Sequence, residues 1–170
     1  MTRRHATLPT SIGGLLAVGE GSALTGLYFP GHWYPPGADA IGVEVDARAD
    51  PLFARAAAQL GEYLDGRRTT FDVPVATSGD AFQEQVWRML RGIRFGETTS
   101  YGALAERLGD RALARRVGQA VGRNPVSILI PCHRVVGASG SLTGYAGGLE
   151  RKQFLLELEG ADVVAQRRLF

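Results

Sequence analysis

The one cysteine of this 170-residue chain, Cys132, follows Ile128-Leu129-Ile130-Pro131 and stands directly before His133 and Arg134. A free thiol with a pKa of about 8.5 is only slightly ionised at neutral pH, so a nucleophilic cysteine needs an imidazole, a cation or a dipole beside it. His133 and Arg134 supply an imidazole and a cation. Taken alone, such a pair is more often a buried, inert cysteine next to a histidine, and both readings stand at this point. A single cysteine excludes an internal disulfide and any multi-thiolate metal site, and no metal or other cofactor is expected. His5 and His32 read as ordinary surface or loop residues.

Several elements must position Cys132. Upstream, Leu15-Leu16-Ala17-Val18 and Leu24-Thr25-Gly26-Leu27-Tyr28-Phe29 alternate around Gly19-Glu20-Gly21-Ser22 and read as a two-stranded hairpin. A Gly- and Pro-rich loop over residues 30–42 follows. Leu52, Phe53, Ala56, Leu60, Tyr63 and Leu64 then recur at helical spacing until Asp65-Gly66 stops them. Residues 71–75 fit a short strand or an extended linker, and Ala76-Thr77-Ser78-Gly79-Asp80 marks a boundary near residue 78.

Beyond that boundary, Asp80 is placed to cap a helix whose Phe82, Val86, Met89, Leu90 and Ile93 share a face. Ser100 opens a short helix through Leu104 and Leu108, Gly109-Asp110 turns the chain, and residues 112–121 form a second helix with Leu113, Val117 and Val121 inward. This is a helix-turn-helix pattern, weak by itself because helical hairpins of similar length are common. The run Ile128-Leu129-Ile130 reads as a buried, strand-like segment from which Cys132 emerges, and a last helix covers about residues 150–158. The expected fold class is α/β in the broad sense (α+β), with an N-terminal sheet-plus-helix domain over residues 1–78 and a mainly helical C-terminal domain over 79–170.

Composition agrees with a folded chain, at 45% hydrophobic and 21% charged residues. No apolar stretch approaches the roughly 20 residues that span a bilayer, and the apolar piece after Arg3-Arg4 contains two glycines and stops at Glu20, unlike an export signal. A cytoplasmic protein without a membrane partner is expected. The net charge of +2 hides an asymmetry. Residues 1–79 hold 6 arginines against 8 acidic residues, whereas residues 80–170 hold 13 basic residues against 9 acidic ones. An anionic partner such as nucleic acid would meet the second half, although a solvated basic face would show the same excess.

The run Pro131-Cys132-His133-Arg134-Val135-Val136, preceded by Gly122-Arg123-Asn124-Pro125, resembles the active-site signature of the O6-alkylguanine-DNA alkyltransferases. The resemblance extends through Phe82-Gln83-Glu84-Gln85-Val86-Trp87, Gly96-Glu97-Thr98-Thr99-Ser100-Tyr101-Gly102, Arg115-Arg116-Val117-Gly118, Thr143-Gly144-Tyr145-Ala146-Gly147-Gly148 and residues 152–159, in the family's order and spacing. It covers essentially residues 80–160. The N-terminal half matches only in general layout, for which the family implies an RNase H-like fold, and it lacks the cysteines that hold a structural zinc in some members.

The family flips an alkylated guanine out of duplex DNA and moves the alkyl group to a cysteine sulfur. By resemblance Cys132 is the acceptor, His133 acts on the thiol through a water, and Glu159 orients the imidazole. Tyr101 contacts the flipped base and helps rotate its phosphate, and Arg115 enters the base stack. Arg116 and Arg123 bind DNA, and Gly118, with Ala114 and Ala120, lets the helix approach the minor groove closely. Asn124 braces the active-site turn. Tyr145, Ala146 and Gly147 line the base pocket, Val135 offers backbone groups to the guanine edge, and Pro131 and Lys152 support the pocket. Family members differ at the position of Ala146, which here provides no hydroxyl. With the small Gly137 and Gly144, it points to a pocket tolerating groups larger than methyl.

The expected partner is therefore double-stranded DNA carrying O6-alkylguanine, bound by a monomer that acts once, since a thioether is not activated for attack by water. Three other readings remain. A non-catalytic alkyl-lesion binder would have replaced the acceptor cysteine. A cysteine hydrolase using Cys132, His133 and Glu159 has awkward geometry if adjacent side chains of a strand point to opposite faces. A helix-turn-helix regulator would lack the regulatory module of fused family members.

Overall fold

The computed structural model describes residues 2–161. These form two compact units, one of the residues up to Thr77 together with Pro125–Ser127, the other of Ser78–Asn124 and the residues from Ile128 on.

The first unit is a four-stranded mixed sheet covered by a helix. Strands β1 (Arg3–Thr10), β2 (Gly13–Glu20), β3 (Ala23–Tyr28) and β4 (Val43–Glu44) lie in the order β3-β2-β1-β4. The β2–β3 hairpin is the one expected from the alternating residues. β1 pairs antiparallel with β2 and parallel with β4, and nothing in the sequence reading had placed it. Its segment Arg-Arg-His-Ala-Thr-Leu-Pro-Thr buries only Ala6 and Leu8, and a proline inside a run argues against a strand. Pro9 is accommodated because β4 reaches β1 only at Arg4 and His5, leaving Pro9 with β2 alone beside it. Gly42 admits β4 to this edge, since its φ is +72° and a Cβ there would stand 1.9 Å from the Arg3 carbonyl oxygen.

Helix α1 (Pro51–Leu64) buries Leu52, Phe53, Ala56, Leu60 and Tyr63, the periodic positions of the sequence. Asp50 caps it, accepting from the backbone N–H of Leu52 at 3.0 Å and of Phe53 at 3.3 Å, and also pairs with Arg4 of β1. One carboxylate thus serves the helix terminus and ties it to the sheet. Asp50→Ala is expected to lower the unfolding free energy by about 1–2 kcal/mol, read as an earlier urea midpoint at unchanged slope. The segment at residues 71–75 is extended, and only Val75 bridges to Leu24 of β3.

In the second unit, α2 (Ala81–Arg91) begins with a capping box in which Asp80 and Gln83 satisfy each other's backbone N–H. The Trp87 indole N–H donates to the Ala120 carbonyl at 2.8 Å, holding α2 to α4 (Ala114–Gly122). Ser100 caps α3 (Tyr101–Arg107), and a 3-10 turn at Arg111–Leu113 leads into α4. The helix pair thus forms as expected, with Val117, Ala120 and Val121 buried and Leu113 only partly so. Two short strands, β5 (Thr99–Ser100) and β6 (Val135–Val136), pair in parallel and bring the start of α3 beside the Cys132 segment. α5 (Leu149–Leu158) closes the unit.

One expectation fails here. Ile128-Leu129-Ile130 is a succession of turns, not a strand, with Ile128 in the left-handed region at φ 72°. Ile128 and Ile130 are buried, and the pairing of this stretch with β3 is confined to Val126, which bridges Leu27 just before the run. An apolar run between Pro125 and Pro131 does not by itself distinguish a strand from a buried turn.

Candidate active site

Cys132, His133 and Arg134 form a 3-10 turn between Pro131 and β6. In a 3-10 turn successive side chains diverge by about 120°, so the opposite-face geometry of a strand does not apply to Cys132 and His133. The turn is held from outside by Asn124, whose side-chain amide donates to the Ile130 carbonyl at 2.7 Å, while the Cys132 N–H donates to the same oxygen at 2.8 Å. Asn124 is 2% exposed, and it and Tyr145 both favour the ionised thiol.

His133 is fully buried, and its Nε2 lies 2.9 Å from Glu159 Oε2. Glu159 stands at the C-terminal cap of α5. Burial would raise its carboxyl, but the hydrogen bonds from His133 and Arg134 win and hold it down to about 2. Burial pushes His133 below its ordinary value despite Glu159, so the imidazole rests neutral. The Cys132 thiol is pushed up by burial, opposed by Asn124, Lys152 and Tyr145. The resting group is therefore a thiol, and a thiolate has to be made by moving its proton.

Lys152 of α5 is 0% exposed, and its Nζ donates to the carbonyls of Thr143 at 2.7 Å and Gly144 at 3.4 Å. Burial lowers the ammonium to about 8, with the nearby Cys132 acting the other way. The cation whose field reaches the sulfur is thus Lys152. Arg134, the neighbour that the sequence offered for this purpose, is committed to Glu159 and to the Ile93 carbonyl.

Tyr101 stands at the start of α3, and burial raises its hydroxyl, with Thr143 acting the other way. Its ring covers Gly118 of α4, where a Cβ would sit 3.7 Å from the ring edge. Val135 is buried in β6 opposite Thr99, and Pro131, Tyr145, Ala146 and Gly147 are buried as well. A Cβ on Gly137 would meet the Ser141 hydroxyl at 2.3 Å, so this glycine serves the closure of its own loop. The structure thus gathers Cys132, His133, Glu159, Asn124, Tyr101, Tyr145 and Lys152 around one turn. Arg115, Arg116 and Arg123 lie instead on the exposed side and end of α4, with the Arg116 guanidinium 4.0 Å above the Phe82 ring. Among the described residues no three His, Cys, Asp or Glu side chains come together as a metal site.

Sequence reading missed the place of Arg134 and the carbonyls of Ile93 and Thr143. A buried arginine needs a carboxylate partner, a signal present in the motif; backbone carbonyls leave no such trace.

The model for the DNA binding domain of 6-O-methylguanine DNA methyltransferase matches residues 81–161, and that for its ribonuclease-like domain matches residues 4–77. The methylated-DNA--protein-cysteine methyltransferase of Mycolicibacterium paratuberculosis is 46% identical over 98% of both chains, and that of Mycobacterium leprae is 44% identical over 96% of both. A crystal structure of Mycobacterium tuberculosis OGT in complex with DNA shares 44% identity over 94% of this chain and 96% of that one, with a TM-score of 0.84. With both halves matched and relatives similar along nearly their whole length, the chain belongs to the 6-O-methylguanine DNA methyltransferase family.

Proposed function

We propose that this protein reverses alkylation damage in DNA by moving a methyl or larger alkyl group from O6 of guanine to Sγ of Cys132. The observation that carries the reading is the buried Cys132, His133 and Glu159 arrangement on a turn of this family's chain. The sulfur attacks the alkyl carbon, the S–C bond forms, and the C–O6 bond breaks with its electron pair left on the base. The thiol loses one proton and the base regains one as guanine, so the exchange is neutral overall. His133 Nδ1 is buried with no hydrogen-bond partner among the described residues, and it accepts the thiol proton, directly or through one water. Lys152 supplies positive charge beside the sulfur. The resulting thioether has no route back to thiol, so each molecule acts once.

The partner is double-stranded DNA with an O6-alkylguanine, approached by a monomer through the minor groove in the cytoplasm. Residues 79–170 carry the reaction and 1–78 form the accompanying α/β domain. Arg115 replaces the flipped base in the stack, Tyr101 receives the base and rotates its phosphate, and Arg116 and Arg123 meet the backbone. Gly118 keeps α4 thin against the groove, a route that suits damage search with little sequence readout. Asn124 and Pro131 brace the turn, and Val135, Tyr145, Ala146 and Gly147 line the pocket.

The neutral His133 gives the reaction a pH signature. Protonation of Nδ1 removes the acceptor, so the single-turnover rate with free O6-benzylguanine falls on the acid side. Because burial lowers the imidazole, the midpoint of that fall lies below the ordinary histidine value of about 6.5. A midpoint above that value would assign the proton acceptor elsewhere.

A further inference from the structure

Both oxygens of the buried Glu159 are occupied by nitrogens. Arg134 Nε donates to Oε1 at 2.9 Å and Arg134 Nη2 to Oε2 at 2.8 Å, while His133 Nε2 stands 2.9 Å from Oε2. A guanidinium only donates, and an ionised carboxylate only accepts. The ring nitrogen facing that carboxylate therefore carries hydrogen. His133 is then the Nε2–H tautomer when neutral, and its lone pair lies on Nδ1, the buried atom without a hydrogen-bond partner among the described residues. Arg134 is itself fixed. Its Nη1 donates to the Ile93 carbonyl at 2.5 Å, and its guanidinium carbon lies 6.0 Å from the centre of the Phe95 ring.

We propose that Arg134 is a positioning residue of the transfer reaction, whose two-pronged grip on Glu159 keeps His133 neutral and in the tautomer that turns an Nδ1 lone pair toward proton transfer. The inference rests on the reading of His133 as the acceptor of the Cys132 proton. Two effects follow from the geometry. The fork fixes the carboxylate plane, which fixes the ring that donates to it. The guanidinium charge also offsets the pull of Glu159 on a histidine proton. The charged groups bearing on His133 are Glu159 at the end of α5, Lys152 within α5 and Arg134 in its own turn. Of these only Glu159 favours imidazolium. Without Arg134 the imidazole faces an undivided carboxylate, holds a proton at higher pH and loses its capacity to accept another.

The test uses the full chain and two variants, Arg134→Met, which removes charge and fork, and Arg134→Lys, which keeps charge but spans a single oxygen. Single-turnover transfer from free O6-benzylguanine is followed against pH, and long-range 1H–15N spectra report the His133 tautomer. The wild-type ring is expected as Nε2–H. In Arg134→Met the acid limb moves up by about one pH unit or more, with the rate lost at pH 7 largely recovered at higher pH. In Arg134→Lys the limb stays near its wild-type position while the plateau falls and the tautomer signals become mixed. A rate lowered equally at every pH in Arg134→Met, or an unmoved profile and tautomer, would make Arg134 a packing residue and overturn the proposal. Should Arg134→Met fail to fold, wild-type plateau and tautomer in Arg134→Lys would overturn it as well. A wild-type protein that transfers nothing removes the functional reading instead, and the tautomer spectra still decide whether Arg134 governs His133.

Discussion

Cys132→Ser is expected to reduce alkyl transfer to background while leaving duplex affinity within about threefold, because the arginines proposed to meet the DNA, Arg115, Arg116 and Arg123, are exposed on α4 and its end, away from the buried thiol. The substitution replaces the sole thiol with a hydroxyl of nearly the same shape at a position 5% exposed, so the turn held by Asn124 and Ile130 survives. A hydroxyl in a site that raises even a thiol is far harder to ionise than sulfur. Single-turnover transfer from a duplex carrying one O6-methylguanine, alongside fluorescence anisotropy on the same duplex, separates the two properties. Residual transfer in Cys132→Ser above a few per cent would place the acceptor elsewhere in the chain.

Arg115→Ala should divide the substrates. Extruding a base costs a few kcal/mol, and a side chain that fills the space left behind offsets part of that cost. Loss of about 2–3 kcal/mol in the flipped complex corresponds to a fall of roughly 30- to 150-fold on duplex DNA. The rate on free O6-benzylguanine, which needs no flipping, should stay within about twofold. Arg115 is exposed on α4, whereas Val117, Ala120 and Val121 anchor that helix, so the substitution leaves the fold intact. Equal losses on both substrates would show that Arg115 acts on the pocket or on the fold and not on the base stack.

These expectations rest unevenly on sequence and on structure. Where a single face is buried, periodicity was enough. The spacing of Leu52, Phe53, Ala56, Leu60 and Tyr63 located α1, and Asp80 and Ser100 marked the starts of α2 and α3 through their capping chemistry. β1 escaped because its paired backbone carries few apolar side chains and a proline, and strand pairing is a long-range property. The turn at Ile128 escaped for the opposite reason, since apolar side chains report burial but not backbone direction.

At the site, the resemblance named Cys132, His133 and Glu159 and the relation among them, and the structure supplied the atoms and distances. That His133 uses Nε2 toward Glu159, that Arg134 occupies both carboxylate oxygens, and that Lys152 is spent on the carbonyls of Thr143 and Gly144 are three-dimensional facts. Sequence adjacency offers Arg134 as a candidate cation for the thiol. Adjacency in the chain does not settle the partner, because a turn sends neighbouring side chains to different places, and the cation whose charge favours the thiolate is Lys152 of α5.

Transfer to Cys132 is tested most directly by intact-protein mass spectrometry after incubation with one equivalent of a duplex carrying a single O6-methylguanine, followed by peptide mapping. The expected result is a complete gain of one methyl group, located on the peptide containing Cys132, with no gain from an undamaged duplex. An unchanged mass with DNA binding retained would contradict repair by transfer and leave a lesion binder. An unchanged mass without binding would remove both readings.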